Sequence, residues 1–138
     1  MCGELDDDVQ VDNDIFQRFL QIARHHGATP QAAQTALPDL EQPPGRSAYM
    51  DTLFSVGLVR AVSDASAASE GQRVEAIAAQ AIAFARLAGF LAGQLPPEAD
   101  LFRATIEALT DGHATSGRTA EALRHHHHHD HHHHDHSH

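Results

Sequence analysis

The sequence predicts an all-α protein: a small bundle of four to five helices with a disordered acidic N-terminal arm and a His-rich C-terminal tail. Three observations point there. Apolar residues recur in steps of three and four through most of residues 14–112. Prolines, glycines and capping residues punctuate those runs where helices start and stop. No segment alternates apolar and polar residues as a half-buried strand does. The expected division is an arm over residues 1–13, a helical domain over 14–112, a polar linker over 113–124 and the tail over 125–138.

The first helix follows the capping residues Asp12, Asn13 and Asp14, gathers Ile15, Phe16, Phe19, Leu20, Ile22 and Ala23 on one broad face, and stops at Gly27. Thr29 and Pro30 then make a cap and first-position pair for a short second helix that Pro38 blocks. Residues 38–46 hold three prolines and a glycine and read as a connector. Ser47 caps a third helix in which Tyr49, Leu53, Val56, Val59 and Arg60 keep helical spacing.

The clearest pattern falls in the fourth helix, roughly residues 70–95. Val74, Ile77, Ala81, Phe84, Ala88, Leu91 and Leu95 alternate steps of three and four, the seam of a helix packed along its length. Ala85, Gly89 and Gly93 run beside it and suit close approach of a second backbone. Residues 76–95 carry a single charge, so a membrane span is arithmetically open, but Arg86 is central and alanine is only mildly apolar. A buried core helix and no membrane is the expectation. Pro96 and Pro97 end this helix and start the fifth, where Leu101, Phe102, Thr105, Ile106 and Leu109 face inward as far as Gly112.

Composition excludes several functions. All nine basic residues are Arg, so no lysine is present for a Schiff base or a phosphate loop. A net charge of -10 argues against a nucleic-acid partner. Cys2 is the lone cysteine, which rules out an internal disulfide and a zinc site built on several thiols. Residues 1–14 hold six acids and no apolar run, so no secretory signal is expected there and the protein is read as cytoplasmic. Neither a His-Glu-x-x-His, nor a Glu-x-x-His, nor a Gly-x-Ser-x-Gly, nor a Gly-rich phosphate loop occurs, and no enzyme is expected. Ser63 and Asp64 read as caps or solvated surface.

The tail carries the chemistry. Eleven of the fourteen His lie in the last fourteen residues: His125, His126, His127, His128, His129, His131, His132, His133, His134, His136 and His138. A neutral imidazole supplies a borderline-soft nitrogen, and most imidazoles of ordinary pKa, about 6.5, are neutral near pH 7. A run of them on a flexible chain can give two to four nitrogens to one ion, enough for roughly two to four ions in overlapping, labile sites. Without thiols in the tail, Ni(II), Zn(II) and Co(II) are the expected ligands, and copper binding in vitro would not establish a copper role. Asp130 and Asp135 interrupt the run, where they can complete a coordination shell, offset cation charge or aid solubility. A purification tag is usually six unbroken His after a cloning scar, whereas this run is broken twice and ends His-Ser-His. An unselected low-complexity end is the other bland account.

Residues 125–138 resemble the His-rich extensions of nickel metallochaperones, such as the urease accessory chaperone and the hydrogenase-maturation GTPase, and the His loops of zinc transporters. The resemblance implies divalent-metal storage or donation to a client metalloenzyme or transporter. It stops at the tail, because residues 1–112 carry no phosphate-binding loop, no strand pattern and no set of spanning helices.

Three further groups have bland and sharp readings. His25 and His26 sit in the last turn of the first helix and suit a C-terminal cap; with His113 they would make an acceptor site if the helix ends meet. Glu4, Asp6, Asp7, Asp8, Asp12 and Asp14 lack the spacing of a calcium loop and read as a solvated arm. Cys2 can chelate through its thiol and a terminal amine once Met1 is removed. The rival to metal handling is a helical interaction or homodimerisation module, docking through a groove lined by Tyr49 or Phe, with the tail incidental.

Overall fold

The structure, a computed structural model, describes residues 3–33 and 36–130, with side-chain surroundings for residues 9–33 and 36–126. It is all-helical, with no strand among the described residues. The helices are α1 (Gly3–His25), α2 (Pro43–Ala67), α3 (Arg73–Ala92) and α4 (Leu101–Asp130), with single 3-10 turns at Glu70–Gln72 and Pro97–Ala99. The chain divides into two units, residues 1–87 and 88–138.

In the first unit α1 begins at Gly3, so the segment expected as a disordered arm is helical over its described part. Glu4, Asp6, Asp7 and Asp8 fall in its first turns, where the helix dipole favours negative charge. The helix stops as expected. Gly27 adopts φ 81°, Ala28 donates its N–H to Ala23 O at 2.9 Å and Gly27 donates to Arg24 O at 2.9 Å, the paired bonds of a Schellman end. Ile15, Phe19, Leu20, Ile22 and Ala23 are half-buried, and Phe16 is half exposed.

The short second helix does not form: residues 28–33 and 36–39 have no helix. A helix of under about ten residues is marginal in water, and Pro38 bars its predecessor from helical geometry. Instead the Pro-rich connector winds into α2, with Pro43 and Pro44 in the first turn. Arg46 locks that entry, its guanidinium donating to the carbonyls of Leu40 at 3.1 Å and Glu41 at 3.0 Å. A Cβ on Gly45 would overlap the Asp39 carbonyl, so only glycine fits there.

α2 and α3 form a hairpin through residues 68–72. Its contact edge is made of small residues. Gly57, Ala61, Ala65 and Ala68 on one side and Ala76, Gln80 and Ala85 on the other are half-buried, as are Gly45 and Tyr49 nearer the start of α2, and Gln80 Nε2 donates to Ala61 O at 3.3 Å across the pair. This corrects the expectation that Val74, Ile77, Ala81 and Phe84 form a covered seam. Val74 is 74% exposed and Ile77 59%, and none of the described residues of the first unit is buried. The physical reason is size: alanines such as Ala61, Ala65 and Ala76 leave the half-covered side of the pair small, and the larger side chains stand on other sides. Glu70–Ala92 is also long and apolar enough to cross a membrane by length and composition.

Among the residues whose surroundings are described, the two that are buried, Ala92 and Gln94, lie in the second unit. Gln94 Nε2 donates to Phe90 O at 2.8 Å, and Gly93, Gln94 and Leu95 donate back to Gly89, Leu91 and Ala92, winding down α3 before Pro96. Asp100, at φ 51°, then turns the chain into α4.

Candidate metal centre

α4 positions the first part of the His run. The expected stop at Gly112 and the linker over residues 113–124 are absent: α4 continues unbroken through Gly112 and Gly117 to Asp130. No proline interrupts ATSGRTAEALR, its Ala, Glu, Leu and Arg favour helix, and each glycine costs only about 1 kcal/mol. The threonines are accommodated because their hydroxyls bond back one turn, Thr105 to Leu101 O at 2.8 Å, Thr110 to Ile106 O at 3.0 Å and Thr119 to Thr115 O at 2.9 Å.

Among residues 101–126 of α4, only Leu101 and Thr105 are partly covered, and residues 106–126 are exposed all round. Phe102, Ile106 and Leu109, expected to face inward, are 66%, 48% and 52% exposed. His125 and His126 therefore stand on an open helix. Consecutive helical positions point about 100° apart, so these two neighbours do not converge on one ion from the helical backbone alone. Positions four apart, such as 125 and 129, lie one turn apart on one side, the spacing at which two imidazoles reach a common metal. Residues 127–130 are described by their backbone alone. His131, His132, His133, His134, Asp135, His136 and His138 lie outside the described residues, as does Cys2.

Among the described residues, no three His, Cys, Asp or Glu converge in a group that could hold a metal ion. His25 and His26 belong to the first unit and His113 to the second. The rings of His25 and His26 meet edge-on at 5.5 Å. The carbonyls they were expected to cap are already served by backbone donors, with Ile22 and Ala23 accepting from His26 N–H, Arg24 from Gly27 N–H and Ala23 also from Ala28 N–H. Asp12 and Asp14 are exposed on α1, and Gln10 donates to Asp14 at 3.2 Å. Ser63 donates to Val59 O at 2.7 Å, and Asp64 pairs with Arg60 at 2.8 Å, holding that guanidinium still further towards its charged form.

The sequence reasoning missed a groove on the first unit. An open apolar depression of about 520 Å³ is lined by Leu58, Ala61, Val62, Ala65, Ser66, Arg73 and Ile77. Neither Tyr49 nor a phenylalanine lines it. Its signal was the run of Phe54, Leu58, Val62 and Ala65 in steps of three and four, on a different side of α2 from the Val56 and Val59 positions singled out first. No family model, no curated protein and no solved structure matches this chain.

Proposed function

We propose that the protein binds divalent transition metals, Ni(II), Zn(II) or Co(II), through residues 125–138 and serves in metal buffering, storage or delivery to a client metalloenzyme or transporter. The helical body, read as a bundle, is the carrier. One observation carries the reading: eleven of fourteen His are concentrated in fourteen residues. The exposure of His125 and His126 at the end of α4 supports it, because an ion can reach them without any opening of the fold. A site of this kind exchanges metal readily, since several overlapping His sets compete for each ion.

Isothermal titration of Ni(II), Zn(II) and Co(II) into the untagged full chain and into a form ending at Arg124, near neutral pH, tests it. Binding by the full chain alone places the ligands in the tail. Equal binding by both forms overturns the assignment and directs substitution to His25, His26 and His113. An absence of binding tighter than about millimolar, or −4 kcal/mol, overturns metal handling altogether.

A further inference from the structure

The α2–α3 hairpin buries small residues and displays large ones. Phe54, Leu58 and Val62 on α2 and Val74, Ile77 and Phe84 on α3 share one face and are 47–74% exposed. Two helices joined by a short turn, with no described residue buried before Ala92 at the very end of α3, lack the packing that normally supplies most helical stability. Something must cover this face.

Its charge pattern identifies the cover. Arg60 and Asp64 pair with each other on another side of α2, and Glu75 and Arg86 fall on the far side of α3 by helical spacing. The apolar face keeps two charges, one at each end. Arg73 lines the groove beside the turn, and Asp51 follows the Phe54 and Leu58 spacing towards the open end. The contact of Gln80 with Ala61 fixes the level of the two helices. Counting from it, Arg73 stands level with Ala68, about seventeen residues or 25 Å along α2 from Asp51. A copy of the same face rotated by half a turn about the midpoint, near Leu58 and Ala61, sets each Arg73 against Asp51 of the other chain. The face is self-complementary, as a two-fold interface requires.

The area also suffices. At about 100 Å² of exposed surface each, the six large side chains supply roughly 600 Å², and with the alanines between them the face approaches the ~800 Å² one partner gives to a standard interface.

We propose that this face docks a second copy of the chain, antiparallel, so that two hairpins close a four-helix assembly around Leu58, Val62 and Ile77, with Arg73 and Asp51 paired across both ends. The assembly is independent of metal binding, and the two ideas fail separately.

Sedimentation equilibrium of the full chain with a chelator present, over low to high micromolar concentration, reads the outcome. The expected mass is that of two chains, and it persists in the form ending at Arg124. Ile77→Asp should raise the dimer dissociation constant by about a hundredfold or more, because it would bury an unpaired charge. Asp51→Arg and Arg73→Asp are exposed changes that leave the hairpin intact. Each should weaken the dimer by roughly tenfold, and the double variant should restore it. A single-chain mass at every concentration overturns the proposal. So does a dimer indifferent to Ile77→Asp, or a double variant no tighter than its parents. Monomers that co-sediment with vesicles of phosphatidylcholine and phosphatidylglycerol would show that a membrane covers the face instead.

Discussion

The α2–α3 hairpin and the last third of α4 are both helical and both exposed, yet their exposure has opposite meanings. On the hairpin the exposed residues include Phe54, Leu58, Val62, Val74, Ile77 and Phe84 on one face and others such as Val59 and Ile82 elsewhere, groups that water disfavours. On α4 beyond Gly112 the exposed residues are mostly polar or ligating, with Leu123 the one large apolar side chain, and they run to His125 and His126, groups that gain from access to solvent and ions. Bare apolar surface implies a macromolecular cover, whereas bare imidazole implies a small, exchanging ligand. Exposure alone therefore identifies nothing until the chemistry of what is exposed is considered.

The contrast can be broken most forcefully from the tail. Removing residues 125–138 should weaken binding of Ni(II) by about a thousandfold, the loss of at least two imidazole ligands, and leave the mass of the assembly unchanged. Titration calorimetry and sedimentation on the same two preparations check both halves. A change in mass on truncation would mean that the two regions are one device.

Acid should produce the next largest effect. Each imidazole must be neutral to coordinate, so protons compete with metal. From pH 7 to about pH 5 an imidazole of ordinary pKa, near 6.5, passes from mostly neutral to mostly protonated. With two or more ligands per ion, affinity should fall by about a hundredfold or more, and repeating the calorimetry at the lower pH measures it. Equal affinity at both values would rule out imidazole as the ligand.

A pair of glycines sharpens the comparison through stability. Gly27 sits at φ 81° with open space around it, so Gly27→Ala keeps every contact and adds backbone strain of about 1 kcal/mol. Gly112, also in open space, lies inside α4, and Gly112→Ala should instead stabilise by about 1 kcal/mol. Thermal unfolding should shift in opposite directions for the two variants. A loss of stability from Gly112→Ala would mean that α4 does not run through this position in solution.

Those glycines also show what was legible in the sequence. Both follow an apolar helical run, and both read as stops. Gly27 is one: Ala28, Thr29 and Pro30 follow it, and the chain leaves the helix. Gly112 is not, because His113 and the Ala-, Glu- and Leu-containing stretch beyond it let the helix continue. A stop signal depends on what comes after it. The helical class and the positions of the third, fourth and fifth expected helices were legible from three-and-four spacing. Which side of α3 meets α2 was not. The seam of Val74, Ile77 and Phe84 was the stronger apolar pattern, but the half-covered side is the one that carries Ala61 and Ala65 on α2 and Ala76 and Gln80 on α3, with Gln80 bonded to the Ala61 carbonyl. Of the metal segment, composition named the residues and the helix added the placement of the first two.

The smallest effect concerns Gln80, which sits at that small-residue contact. Its Nε2 donates to Ala61 O at 3.3 Å, a long bond, while its Oε1 is buried without a partner. A lost hydrogen bond and a buried orphan acceptor are each worth about 1 kcal/mol, and they oppose one another in Gln80→Met. The carbonyl of Ala61 already accepts within α2, so the variant forfeits little there, and methionine fills the same space without an unpaired oxygen. Gln80→Met should therefore raise thermal stability slightly, by under about 1 kcal/mol. The cost falls on register. The glutamine bond favours the level of α2 against α3 that sets Arg73 and Asp51 apart by the span their cross-chain pairing needs. The variant's dimer should accordingly lose part of its sensitivity to Asp51→Arg while its hairpin melts no lower, a combination that a purely structural glutamine would not produce.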